Sequence, residues 1–194
     1  ALDRSLYSLS GSLYANALAV NVLNQSKWQQ SVMPQLTRVQ PGRVQALADY
    51  RHDSANWQPD GLSGRQRSHS VTLGAANRLG PFTLAGVLNT TQTDWEERYG
   101  SSLDRADINS LGGLVGWRYE LADQAFINGS LALSQYRNRV NRTLWLGNNS
   151  HLVGQTAKGQ LWQWQMSGGK SWQPVANWSI TPQLGLAYDY AIQR

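Results

Sequence analysis

Short joints and long ones alternate strictly along residues 43–194, and that alternation restricts the fold more than any single motif does. The short joints are Arg78-Leu79-Gly80-Pro81, Leu121-Ala122-Asp123-Gln124 and Gln173-Pro174-Val175-Ala176. The long, polar ones run over 53–67, 94–107 and 138–158. Every tight turn then falls at one end of the strands and every long loop at the other. A soluble sandwich has no reason for that asymmetry. A transmembrane barrel of the bacterial outer membrane does, with short turns on one side of the bilayer and longer loops on the other.

Between the joints the period is two. Val44, Ala46, Ala48 and Tyr50 share one face of the first segment, against Arg43, Gln45, Asp49 and Arg51. The same division sets Val71, Leu73 and Ala75 against Ser70 and Thr72, and gathers Phe82, Leu84, Gly86 and Leu88 on one side. It sets Leu111, Val115, Trp117 and Tyr119 against Ser110, Arg118 and Glu120. Ile127, Leu131 and Leu133 oppose Asn128, Ser130 and Ser134, and Trp162, Trp164 and Met166 oppose Gln163, Gln165 and Ser167. The last segment places Trp178, Ile180, Leu184, Leu186 and Tyr188 opposite Ser179, Thr181, Gln183 and Asp189. Strict alternation over these segments predicts seven antiparallel strands with one apolar face. A sandwich or lipocalin-like barrel would need a second layer to hide the large rings on that face. The reverse arrangement, apolar outside and polar inside, needs only lipid.

Composition agrees with that medium. Apolar residues make up 41% of the chain and mean hydropathy is −0.47, so nothing approaches the ~20 apolar residues of a membrane-spanning helix. In a barrel only alternate residues meet lipid, which dilutes the hydropathy signal. Nine Trp and eight Tyr against two Phe favour rings with a polar tip, which suit membrane interfaces. Phe82, Trp117, Tyr119, Phe126, Trp172 and Trp178 gather near the short joints. Trp57, Trp95, Tyr99, Tyr136, Trp162, Trp164, Tyr188 and Tyr190 gather toward the long ones. Trp178 and Tyr188, ten residues or about 33 Å apart, would span about 25 Å when tilted by about 40°. A girdle of Phe82, Trp117, Tyr119, Trp162, Trp164, Trp178 and Tyr188 is therefore expected. Arg43, Asp49, Arg51, Arg78, Arg118 and Glu120 are expected to face a wet lumen, pairing with one another and with a lumenal helix.

That helix is expected over residues 1–33. Leu2, Leu6, Leu9, Leu13, Val20 and Leu23 recur at steps of three and four, with Asn16 in the polar slot. The other faces carry Ser, Asn, Gln, Tyr and Ala with hardly any charge, so the segment is suited to lie against something polar. Pro34 and Pro41-Gly42 close it, making 34–42 a connector and 43–194 the strand domain. The chain opens without a signal-peptide pattern and stops at Ala191-Ile192-Gln193-Arg194 within a strand pattern, so further strands are expected beyond it.

The lead string Ala1-Leu2-Asp3-Arg4-Ser5-Leu6-Tyr7-Ser8-Leu9-Ser10-Gly11-Ser12-Leu13-Tyr14-Ala15-Asn16-Ala17 resembles the stretch that precedes the barrel in classical monomeric autotransporters (type V secretion). Gly42-Arg43-Val44 at the first strand is similar too. The resemblance implies an all-β, antiparallel up-and-down transmembrane β-barrel of twelve strands, of which this chain would hold about the first seven. It also implies a preceding helix threaded through the pore and export of an N-terminal passenger, an enzyme such as a protease or esterase, to the surface of a Gram-negative bacterium. The implied partners are outer-membrane lipid and lipopolysaccharide, the chain's own passenger and the barrel-assembly machinery. The usual aromatic residue at the C-terminus of the last strand is missing.

Other chemistry finds little support. His52-Asp53-Ser54 and Ser68-His69-Ser70 place a Ser beside a His, the raw material of an activated nucleophile. Neighbours in a strand point to opposite faces, however, and no Gly-x-Ser-x-Gly elbow exists. An outer-membrane lipid hydrolase and a soluble Trp-rich carbohydrate-binding β protein are the alternatives in other classes. His52, His69 and His151 share no metal-ligand spacing. The absence of cysteine removes disulfides and zinc thiolates, and the scattered charge of +5 forms no nucleic-acid patch. No cofactor is expected.

Overall fold

A computed structural model describes residues 12–57, 62–99, 102–146, 149–175 and 178–193. Helix α1 spans Ser12–Val32 and runs into a 3-10 turn at Met33–Arg38. Strands follow at Gln45–Trp57 (β1), Leu62–Leu79 (β2), Phe82–Tyr99 (β3), Ser102–Glu120 (β4), Ala125–Leu146 (β5) and Asn149–Lys170 (β6). Trp172–Val175 (β7) and Trp178–Ile180 (β8) form a small ribbon, and Gln183–Gln193 (β9) returns to the main sheet. That sheet is antiparallel and seven-stranded, in the order β1-β2-β3-β4-β5-β6-β9. Among the described residues β1 and β9 each have a neighbour on one side only. Helix α1 touches β3, β4, β5 and β6 and bonds to β1, so the sheet curves around it.

The seven alternating strands and their apolar face are as the sequence predicts, and three features differ from it. First, the long polar segments are mostly strand. β1 continues to Trp57 and β2 starts at Leu62; β3 ends at Tyr99 and β4 starts at Ser102; β5 ends at Leu146 and β6 starts at Asn149. These stretches still alternate, but between polar or charged outer residues such as Gln92 and Asp94 and buried small polar ones such as Thr91 and Thr93. With both faces polar, apolar periodicity gives no signal, although Thr favours a pleated backbone. Second, the final strand is broken at Thr181-Pro182, between Ile180 and Gln183. Proline has no N–H to give the ladder. The Trp178-to-Tyr188 spacing is therefore not a strand length, and the third tight joint is replaced by the β7–β8 ribbon. The third difference concerns α1 itself. Leu2, Leu6 and Leu9 lie outside the described residues, as does the Leu13 side chain, while Leu23 is exposed. Val20 of the expected stripe is buried and Asn16 bonds to Glu97, but further along the packed face runs through Ala17, Asn21, Gln25, Trp28, Gln29 and Val32, where the wall offers both polar and apolar partners.

The tight turns are set by local geometry. Leu79 pairs with Phe82 across Gly80-Pro81, and Gly80 takes φ +59°, which glycine adopts without a Cβ penalty. Gly42, at φ +74°, donates its N–H to the Arg78 carbonyl (3.3 Å) and ties the connector to the end of β2.

The register sorts the outer face into cross-strand rows. Leu79, Phe82, Tyr119, Ile127 and Leu184 form the first, beside the turns. Ala75, Val115, Leu131, Trp164 and Tyr188 form the third; Tyr50, Val71, Thr90, Leu111 and Gln135 lie in the fifth. None of these five rows holds an acid, a base or a histidine. The distance from first to fifth is about 27 Å along the strands, or about 21 Å at a tilt of about 40°, close to the ~25 Å apolar band of an outer-membrane barrel.

Candidate functional site: the helix against the concave wall

Polar side chains of α1 meet polar side chains of the wall. Asn21 Nδ2 donates to Asn138 Oδ1 (3.0 Å), Asn24 Nδ2 to Thr93 Oγ1 (3.0 Å) and Asn16 Nδ2 to Glu97 Oε1 (2.8 Å). Gln25 is held twice: its Nε2 donates to the Ala132 carbonyl (3.4 Å), and its Oε1 accepts from Ser134 Oγ. Gln163 Nε2 on β6 donates to Ser26 Oγ (2.7 Å). Buried amides of this kind cost free energy unless satisfied, so these bonds hold the helix to the wall, although Asn21 Oδ1, Gln29 Nε2 and Gln163 Oε1 are buried without a hydrogen-bond partner.

Two apolar patches flank that zone. Trp28, Val32, Leu36 and Val39 pack with Leu47, Ala76, Ala85, Val87, Leu114 and Ala132 near the short turns. Ala17 and Val20 pack with Ala106, Ile108 and Val140 further along the strands. The helix therefore runs with its N-terminal end toward the long strand ends and its C-terminal end at the tight turns.

The charges singled out in the sequence divide into groups. Arg51 donates from a guanidinium nitrogen to the Lys27 carbonyl of α1 (3.0 Å), and Lys27 pairs with Asp53 (3.5 Å). At the turn end Arg78 and Arg118 both pair with Glu120. Arg118 also donates to Asn128 Oδ1 (3.2 Å) and lies 3.9 Å over the Phe126 ring. Asp49 is half-buried on the same face, whereas Arg43 is exposed before β1 begins. Sequence reasoning overlooked Glu97, Asp104 and Arg142, which are buried in the polar strand extensions. Glu97 stands opposite Asp104, and Asp104 accepts from the Thr143 N–H (2.9 Å) with Arg142 at 3.9 Å. Strict alternation carried through those extensions would have found them.

Among the aromatics, Phe82, Tyr119, Trp162, Trp164 and Tyr188 are exposed on the outer face. Trp162 is opposite Tyr190, and Trp164 opposite Tyr188. Trp117 is half-buried because it lies over Gly129, where a Cβ would come within 2.3 Å of the indole. Phe126 and Tyr136 turn inward, and Tyr136 Oη donates to the Ile192 carbonyl (3.2 Å). The side chains of Trp57, Tyr99 and Trp178 lie outside the described residues.

The Ser–His pairs are not assembled. Ser68 Oγ is inward against Thr93 Oγ1 (2.8 Å), while His69 is outward, its ring tilted by 34° against that of His52 with centroids 4.4 Å apart. No group of three metal-ligating side chains occurs among the described residues.

The sequence model of the family described as Autotransporter beta-domain matches residues 44–193. The chain belongs to the autotransporter β-domain family. It is 26% identical over 187 residues to the Neisserial autotransporter lipoprotein NalP of Neisseria meningitidis serogroup B, covering 96% of this chain but 16% of that protein. The solved translocator domain of NalP superposes with TM-score 0.70 at 21% identity, over 89% of this chain and 60% of that one. The β-domain of the Bordetella autotransporter BrkA gives TM-score 0.54 at 13% identity, over 77% and 56%. Membership makes this autotransporter β-domain an outer-membrane translocator of a Gram-negative bacterium, a class that is not itself enzymatic. The chain spans about one sixth of the length of the curated relative.

Proposed function

We propose that residues 43–194 contribute the wall of an export pore, that residues 1–33 are its plug, and that 34–42 connect the two. The observation that carries this reading is the run of hydrogen bonds from Asn21, Asn24 and Gln25 to Asn138, Thr93, Ala132 and Ser134. A polar wall lets an extended passenger pass in water and then accepts the amides of the helix that follows it. Arg43, Asp49, Arg51, Arg78, Arg118 and Glu120 serve as the charged lining, with Arg78–Glu120–Arg118 bracing the rim beside the tight turns. Phe82, Trp117, Tyr119, Trp162, Trp164, Trp178 and Tyr188 serve as interfacial anchors in lipid. The long strand ends face outward from the cell, since the helix end that continues into a passenger points there. The passenger, a protease or an esterase by the resemblance of the lead segment, carries whatever catalysis the whole protein has. Membrane lipid, lipopolysaccharide and the barrel-assembly machinery are its partners during insertion.

Removing residues 1–33 from the full-length barrel tests the plug. Single-channel conductance in planar bilayers should rise and the melting temperature should fall. Unchanged conductance would put the helix outside the ion path and end this reading.

A further inference from the structure

The outer face changes character at one row. Beyond the five charge-free rows comes His52, His69, Gln92, Asn109, Arg137 and Lys158, and then a row containing Arg67, Asp94, Asp107 and Arg139. Most cations on this margin face a carboxylate in register. Arg65 and Arg105 both face Glu96, Arg67 faces Asp94, and Arg139 faces Asp107. Arg105 and Glu96 are in contact at 3.2 Å.

Arg137 and Lys158 break that pattern. They are directly opposite one another on β5 and β6, and the residue on Arg137's other side is Asn109. Both are exposed. Like charges opposite each other in a sheet repel at a Cβ separation of about 4.5–5.5 Å. The nearest carboxylate in the register, Asp107, is diagonal to Arg137 and already faces Arg139.

An outward groove lies at this spot, lined by Arg137, Lys158, Asn109, Gln135, Gln160 and Leu111. Its floor is continuous with the apolar rows, and its upper wall is cationic and rich in amides. We infer that Arg137 and Lys158 bind a phosphate of an outer-leaflet glycolipid of the lipopolysaccharide class. Arg offers a planar fork to phosphate oxygens and Lys a compact charge, while the amides of Asn109, Gln135 and Gln160 suit sugar hydroxyls. Leu111 meets the start of the acyl chains. This assignment rests on the outward orientation given to the long strand ends.

The test uses the full-length barrel in detergent, with lipid retention read by native mass spectrometry. Heat-modifiable migration confirms that each variant folds. Wild type should retain diphosphoryl lipid A at least tenfold more strongly than its dephosphorylated form or phosphatidylglycerol. Arg137→Gln combined with Lys158→Gln should abolish that preference, Lys158→Gln alone should reduce it, and Arg105→Gln should leave it within twofold. Retention by the double variant equal to wild type overturns the site. Equal retention of dephosphorylated lipid overturns phosphate recognition, and equal retention of phosphatidylglycerol overturns the glycolipid. Displacement by millimolar inorganic phosphate makes it a free-anion site and overturns the lipid source. Failure of wild type to insert into liposomes would instead count against the outer-membrane reading itself.

Discussion

An arginine scan along β5 gives a depth profile of the outer face. Ile127, Leu131, Leu133 and Gln135 all point outward on this one strand. Successive outward positions are about 6.8 Å apart along a strand, or about 5 Å in depth at a tilt of about 40°. An apolar band of about 25 Å has a half-height of about 12 Å, and Leu131 falls near its centre. Gln135, two positions on, lies about 10 Å away, near the edge. Arginine on the lipid face costs about 2–4 kcal/mol at the midplane and about 0–1 near the interface. Leu131→Arg should therefore destabilise the barrel by about 2–4 kcal/mol, Leu133→Arg by less, and Gln135→Arg by about 1 or below. Tryptophan fluorescence during guanidinium titration of the full-length barrel in phospholipid vesicles reads these values as midpoint shifts. A flat profile, or a maximum at Gln135, would refute the placement of the band.

The two remaining predictions concern the inner face. Ser130 is 2% exposed on the concave side of β5, whereas Gln183 is exposed on β9, so Ser130→Arg should raise pore conductance and Gln183→Arg should leave it unchanged in planar bilayers. Trp28→Ala removes the largest ring of the lower apolar patch and should weaken helix docking by about 3–5 kcal/mol. Lys27→Ala should cost about 1 kcal/mol or less, because that pair with Asp53 is 42% and 36% exposed. Hydrogen exchange of the α1 amides separates the two: fast exchange in the Lys27 variant alone would reverse the reasoning.

The faces of the strands were legible because lipid and lumen impose opposite demands on neighbouring residues. Leu111, Leu131 and Trp162 point outward as their period-two pattern requires, and Thr72, Ser134 and Gln163 point inward. Legibility ended where both sides met water: the charged runs after Tyr50, Leu88 and Leu133 carry no apolar stripe, yet backbone pairing continues through them. It held only in part for α1, where Val20 packs and Asn16 bonds as the spacing suggested, but Leu23 is exposed and the amides of Asn21 and Gln25 continue the packed face. Helical periodicity reports only the residues that avoid water, and a mixed wall also selects polar ones, which the apolar stripe does not show. Phe126 and Tyr136 were sorted in the sequence only by their nearness to the joints. Nearness to a strand end does not reveal which side of the sheet a ring occupies, and these two cover Arg118 and Gly159 from within.

The polarity of α1 bears on the order in which the parts assemble. Its 21 residues have no acid in the first turn and no base in the last, and Asn, Ser and Val recur among them. Such a segment is marginal as an isolated helix in water, since nucleation is costly and these residues are weak helix formers. Ordering it is therefore coupled to docking: the amides of Asn24 and Gln25 find their partners on the wall, and Asn21, which also bonds the Ala17 carbonyl within the helix, reaches Asn138 there. The segment has no reason to coil before the strands around it have paired, and an uncoiled chain is the narrower object to draw through a pore. If the segment is the plug proposed above, its docking follows the pairing of the strands that form the wall.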